Sequence, residues 1–419
     1  MAKYILNEGY YKNLEFFSKG NNVDIFSNKI KYIDLSMCAG SILLGHNHNI
    51  FRKSIKDFLK KKISNFAAPN IYAQKFSYNI KKVLPNTSGI IFCNSGTEAV
   101  IKSLRIARAL NNKKKIALVS GGWHGSVDQL LFKSGKNFKV ERLSNGLTAE
   151  FKKNIIIIPY NDINKTKEIL NRHKKNISCI IIEPIQGSLP YLEIKGYLKF
   201  LEKYSKINKI TLIFDEMITG FRWSFPSAAS FYNIKGDLYT FGKAIANGFS
   251  VSCVTGNEDI MSKGSILKSG TERTFLLSST HGAEMSSLSA LIQSIKNYQS
   301  HNIPGYLWKY SQKFWNGVND LIDKYNLNEL MTISSPSLLA SISFLNDEDS
   351  LKRTAFMYLL MEKKIVAFSG CFSFSTAHDE NDLQKTLEAF EYAMEYIASG
   401  KDLKRCQITK LKPVFRQFN

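Results

Sequence analysis

At 419 residues, 44% of them hydrophobic and 12% aromatic, the chain is long and apolar enough to bury a large core in two domains, which excludes a disordered or fibrous protein. Its net charge of +22 raises nucleic acid or anionic membrane as partners, but 47 Lys against 10 Arg, scattered along the chain, form a composition bias and no reading surface, so no nucleic-acid partner is expected. No stretch approaches ~18 uninterrupted apolar residues, and the N-terminal "MAKYILNEGYYKNLEFF" lacks an apolar run of signal-peptide type, so the expectation is a cytoplasmic protein with no membrane partner.

Residues 1–50 hold only short strand-like pieces such as "KYIDLS" and are expected to join a small domain. Seven short apolar runs come next: "GIIFC" (89–93), "KIALVS" (115–120), "NIIIIPY" (154–160), "SCIIIEP" (178–184), "ITLIFDE" (210–216), "DLYTFG" (237–242) and "SVSCVTG" (250–256). Continuous apolar runs fit strands covered on both faces, as in a mostly parallel sheet. Helix-period segments such as "TEAVIKSLRIARAL" (97–110) and "YLKFLEKYSKI" (197–207) lie between them. The fold class is therefore α/β, with a mostly parallel seven-stranded sheet in a large domain over 51–283. Past 283 the pattern changes. "GAEMSSLSALIQSIKNYQS" reads as a helix, "LASISFLN" and "CFSFSTAH" as strands, and "ENDLQKTLEAFEYAMEYIA" as a closing helix, giving a smaller α+β domain over 284–400. Residues 401–419 read as an exposed basic tail. The six cysteines form no C-x-x-C pair and read as buried thiols of a reducing compartment.

Ligands of open α/β sheets gather outside the carboxyl ends of the strands. After 89–93 comes "NSGTEA", where Ser95, Gly96 and Thr97 open a helix. They make either a phosphate cradle of backbone N–H groups or a plain helix cap. After 115–120 comes "GGWHGSVD". Trp123 either lies flat on a planar ligand or packs on the core, and His124 serves as well as a structural histidine. "EPIQG" comes after 178–182, and "DEMITGFRWS" after 210–214. Asp215 and Glu216 could hold a metal, but no His or Cys lies at a ligand spacing, so no metal is expected. A buried Asp needs a cationic partner, either a Lys or Arg or a protonated heterocycle. Lys243 ends the sixth run between Gly242 and Gly248, on the same rim. Amine, carboxylate, aromatic plate and phosphate cradle are the four parts that pyridoxal phosphate requires.

At these residues the chain resembles the class III (fold type I) pyridoxal-phosphate aminotransferases, over roughly residues 30–395. "NSGTEA", "WHG", "IIEPIQG", "FDEMITGFR" and "TFGKAIANG" stand in the family's order. "YIDLSMCAGSILLGHNH" and "STAHDENDLQKTLEAF" resemble its glutamate-1-semialdehyde aminomutase-like branch. The resemblance implies pyridoxal 5'-phosphate as cofactor, Lys243 as the Schiff-base lysine and Asp215 against the pyridine N–H. It further implies Met217 on the ring face opposite Trp123, Ser95, Gly96 and Thr97 on the phosphate, and Glu183 and Gln186 beside the cofactor hydroxyl and substrate. "LLSSTHGAE" matches a segment that reaches the phosphate from a second subunit, which implies a homodimer with shared sites and a role there for Ser279 or Thr280.

The activity expected is transfer of an amino group from a small-molecule donor to a carbonyl acceptor. The alternatives are a 2,1-aminomutase acting on glutamate 1-semialdehyde and a catalytically silent basic interaction protein on the same fold. The aminomutase pattern carries an arginine in an N-terminal "N-S-P-V-R" segment and a later "P-S-Q-F-E-A-G-F". Here the first arginine is Arg52, and the comparable later stretch, "VAFSGCFSFS" (366–375), has no glutamate.

Overall fold

The computed structural model describes residues 17–60, 70–85, 87–187, 189, 193–265, 267–275, 277–282, 284–334, 337–347, 350–367 and 372–406. The chain divides into two compact units, one of Met1–Asn49, Gly187–Pro190 and Gly305–Asn419, the other of Ile50–Gln186 and Tyr191–Pro304.

The larger unit is built on seven strands: β1 Gly89–Cys93, β2 Lys115–Val119, β3 Ile155–Ile158, β4 Ile177–Ile182, β5 Thr211–Asp215, β6 Leu238–Phe241 and β7 Ser252–Gly256. All seven apolar runs of the sequence form strands. Their order is β1-β7-β6-β5-β4-β2-β3. Only β7 runs against its neighbours, pairing antiparallel with both β6 and β1. Every residue of β3, β4, β5, β6 and β7 is buried, which is why these strands read as continuous apolar runs with no alternation.

Helix α1, Gly96–Asn111, buries Ala99, Val100, Leu104, Ile106 and Ala107 across the sheet and ends at Asn112, whose left-handed φ of 50° closes it. The helix Met285–Ser300 belongs to this larger unit. The division between the units thus falls at Pro304, beyond the change of sequence pattern at 283.

In the smaller unit Lys19–Asn21, Asp24–Ser27, Ile30–Asp34 and Ile365–Val366 make a four-stranded sheet in that order. Helices Leu351–Glu362 and Glu380–Ala398 pack on each other, the second opened by a capping box between Asp379 and Asp382. Ile342–Phe344 is a strand, as "LASISFLN" predicts, but the described residues of "CFSFSTAH" are not. Their alternation has another cause. Phe372 and Phe374 enter an aromatic core with Phe314, Trp315 and Phe390, at ring separations from 5.0 to 6.1 Å, and the Ser373 and Thr376 N–H groups donate to the Leu35 and Leu43 carbonyls.

The basic tail also differs in part from expectation. Leu403–Cys406 forms a short 3-10 turn with Cys406 fully buried. The rest of the predicted tail, 407–419, lies outside the described residues. Cys38 is exposed, whereas Cys93, Cys179, Cys253 and Cys406 are buried free thiols. Burial pushes the Cys93 and Cys179 thiols up to about 12, so both stay protonated and inert near neutral pH. Among the described residues no helix is long and apolar enough to cross a membrane.

Candidate active site

The parallel pairing of β5 with β6 puts Asp215 directly opposite Thr240 at one edge of the sheet. Three residues further, Lys243 opens the turn Lys243–Ala246 with φ +46°. That left-handed geometry is uncommon for a residue with a side chain and holds the lysine half-buried beside the carboxylate strand. Gly242 makes the approach possible, because a Cβ there would lie 2.5 Å from Ser252 Oγ and 2.6 Å from Met217 Sδ.

Asp215 is 1% exposed, and its charge is compensated within the fold. Oδ1 accepts the Thr240 hydroxyl at 2.9 Å and the Met217 N–H at 3.2 Å. Oδ2 lies 2.7 Å from His124 Nδ1, assigned here as the donor because a carboxylate only accepts. No lysine or arginine forms a salt bridge with Asp215 among the described residues, which removes that alternative. His124 and Thr240 are the partners that sequence reasoning missed. Thr240 could have been found by aligning the ends of the fifth and sixth runs. His124 carried only its place in a glycine-rich loop.

Glu216 turns the other way. It is fully buried and accepts the N–H groups of Ala228 and Ala229 at 3.0 and 2.8 Å, together with the Thr219 hydroxyl. It caps the short helix Ala228–Phe231 and shares no site with Asp215. No cluster of metal-binding side chains occurs among the described residues.

Desolvation outweighs those donors and raises the Glu216 carboxyl from 4.5 to about 7. A raised acid contributes stability that is complete below its unfolded value and lost as pH rises through its folded one. Thermal stability should therefore fall as pH rises from about 4.5 to beyond 7. Glu216→Gln should flatten that slope, and an unchanged slope in melts across the range would remove Glu216 as its source.

At the end of β1, Ser95 is the N-cap of α1, its Oγ accepting the Glu98 N–H at 3.2 Å. The first intrahelical bond is Ala99 N–H to the Ser95 carbonyl, so the amides of Gly96 and Thr97 point outward from the helix start. The cap reading of this motif is therefore correct for Ser95 and compatible with a cradle at Gly96 and Thr97. Met217 sits over this helix start, its Sδ 3.0 Å from where a Cβ on Gly96 would be.

The loop after β2 closes onto the same place. Ser126 N–H donates to Thr97 Oγ1 at 3.1 Å, and a Cβ on Gly125 would meet that oxygen at 2.5 Å. Trp123 is half-buried in this loop, its N–H donating to Glu183 Oε1 at 2.7 Å. Gln186 donates to the Ser120 carbonyl at 2.9 Å, while its buried Oε1 has no hydrogen-bond partner among the described residues. Ser279 and Thr280 are exposed and lie in a segment tied to the end of β1, where Asn94 Nδ2 donates to the His281 carbonyl at 2.8 Å. All eleven predicted site residues thus fall in the larger unit.

Residues 11–390 match the family model described as Aminotransferase class-III. The chain belongs to the class III aminotransferases. This class III aminotransferase is 32% identical over 408 residues to a glutamate-1-semialdehyde 2,1-aminomutase of Methanosphaera stadtmanae, covering 92% of each chain. It is 31% identical to the protein of that name from Fusobacterium nucleatum, again over 92% of each. Among solved structures it resembles a transaminase with PLP bound, with a TM-score of 0.82 at 20% identity over 92% of each chain. An omega-transaminase from Sphaerobacter thermophilus superposes with the same TM-score over 91% of each. The fold is that of the fold type I PLP transaminases, and the cofactor is pyridoxal 5'-phosphate.

The residues present fit that cofactor. A sixteen-residue helix offers its N-terminus to a phosphate, a compensated buried carboxylate stands at the rim, and the orphaned Gln186 Oε1 awaits a donor.

Proposed function

We propose that this aminotransferase moves an amino group between two separate small molecules, from an amino donor to an aldehyde or ketone, a carbonyl-bearing sugar included. When bound, pyridoxal phosphate supplies an electron sink conjugated to the amine-bearing carbon. Lys243 Nζ would hold the cofactor covalently and, when its amine is free, would take the proton from the donor's amine-bearing carbon. It would also return a proton to the former carbonyl carbon of the acceptor. Asp215 would keep the pyridine nitrogen protonated, and His124 and Thr240 hold Asp215 in place. Trp123 and Met217 would cover the ring. Gly96 and Thr97 would hold the phosphate, with Ser95 fixing the helix start, and Glu183 and Gln186 would serve the cofactor hydroxyl and the substrate.

The observation that carries intermolecular transfer is the missing carboxylate grip. An aminomutase must hold a five-carbon substrate by its carboxylate, for which an arginine's planar fork is suited. No arginine precedes Arg52, which lies exposed on the helix Asn49–Lys60. The aminomutase is the second reading, and the names of the curated relatives favour it. The test is a panel of 15N-labelled amino donors with carbonyl acceptors, read by product mass. Label arriving in the acceptor supports the proposal, and product that never carries donor nitrogen contradicts it.

The active unit is a cytoplasmic homodimer in which Ser279 or Thr280 of one subunit reaches the other's phosphate. The expected result is a dimer in sedimentation at every concentration that supports activity. A fully active monomer would contradict it.

A further inference from the structure

Two residues with side chains hold left-handed backbone in the turns beyond β5 and β6. Phe221 has φ +62° and Lys243 has φ +46°. A residue with a Cβ persists in that region only where its neighbours fix it. One side chain meets both turns. Tyr298, on the helix Met285–Ser300, sets its ring 5.5 Å from that of Phe221 and donates its hydroxyl to the Ala244 carbonyl at 2.5 Å. Ala244 is the residue that follows Lys243.

The turn needs such a bond. Its own backbone supplies Ile245 N–H to the Gly242 carbonyl at 3.0 Å and Asn247 N–H to the Ala244 carbonyl at 3.4 Å, the second beyond the usual hydrogen-bond length. Ala244, Ile245 and Ala246 have no exposed surface, so water does not make up the difference. The helix Met285–Ser300 packs against this turn, and Tyr298 is 3% exposed. Burial pushes the Tyr298 hydroxyl up, so it stays protonated and remains a donor near neutral pH.

We propose that Tyr298 is a positioning residue that fixes the Lys243 turn and so sets where Nζ meets the cofactor. This rests on the reading of Lys243 as the lysine that holds the cofactor covalently. A buried tyrosine in a plain packing role needs some acceptor for its hydroxyl, and any carbonyl would serve. Here the acceptor adjoins the strained lysine, and the same ring braces the strained turn beyond the strand that carries Asp215.

The test uses the full-length protein freed of cofactor. Pyridoxal phosphate, added at one equivalent, links its aldehyde carbon to the lysine amine with release of one water, and the change in absorption gives the rate. Pyridoxamine phosphate has an amine in place of the aldehyde, forms no such link, and reports the other anchors alone. Tyr298→Phe removes one oxygen and keeps the ring on Phe221. It should slow link formation about tenfold, the scale of one buried hydrogen bond, and leave pyridoxamine phosphate affinity unchanged. Phe221→Leu, which loosens the packing and keeps the hydroxyl, should link at the native rate. A native rate in Tyr298→Phe overturns the proposal. An equal loss of pyridoxamine phosphate affinity, an equal slowing in Phe221→Leu, or collapse of the Tyr298→Phe fold by circular dichroism also overturns it, since each marks a structural role. Lys243→Ala separates the two levels and should form no link. A link formed there at the native rate overturns the reading of Lys243 and the proposal with it. No link there, with a native rate in Tyr298→Phe, overturns the proposal alone.

Discussion

Replacing Lys243 by alanine should abolish turnover, by a factor of about 10⁴ or more, while the protein still binds pyridoxal phosphate. The size reflects two roles on one side chain. In the proposed mechanism the same Nζ makes the covalent link and moves the proton, and a positioned acid–base group alone is worth about 10²–10⁴. Binding should survive because the other anchors do not depend on the lysine. The N-terminus of α1, the loop at Ser126 and the Asp215 group hold their own contacts. Turnover and cofactor retention measured on the same preparation check both halves. Borohydride reduction of the native protein, with peptide mapping of the product, should mark Lys243 among the chain's 47 lysines. A mark on another lysine would end the assignment.

Asp215→Ala should lower the catalytic rate at least ~100-fold, the low end for a positioned acid–base partner. The loss has two parts. By the proposed role the pyridine nitrogen would lose the carboxylate that keeps it protonated, and the buried His124 and Thr240 would lose their shared acceptor. Asp215→Asn makes a useful companion. It retains an oxygen that can accept from Thr240 while removing the charge, so a rate as low as that of the alanine variant would assign the effect to charge. Near-native turnover in Asp215→Ala would remove the residue from this role.

Much of the larger unit was legible because burial on both faces writes itself into composition. The run of four isoleucines at 155–158 can be little else than a strand covered on both faces. The rim was legible for a related reason, since the residues just past the carboxyl ends of parallel strands must lie at one edge of the sheet. Strand order was not legible. Nothing in "SVSCVTG" says that β7 inserts between β1 and β6 and runs backwards, because its residues are as buried as those of the parallel strands β4, β5 and β6. The partners of Asp215 were hidden for the same reason. His124 lies 91 positions away and becomes a neighbour only through the sheet. Asp215 and Glu216 are adjacent in sequence but share no site, because successive strand-end side chains face opposite sides. In the smaller unit the alternation of Phe372 and Phe374 misled, since both rings enter an aromatic core from a segment that forms no strand among the described residues.

Transfer between two separate molecules is tested most directly by incubating the purified, cofactor-loaded enzyme with glutamate 1-semialdehyde and no other substrate. No efficient formation of 5-aminolevulinate is expected, because the chain carries no arginine ahead of Arg52 to grip the substrate carboxylate. Rapid, donor-independent formation of 5-aminolevulinate would contradict intermolecular transfer and establish the aminomutase in its place.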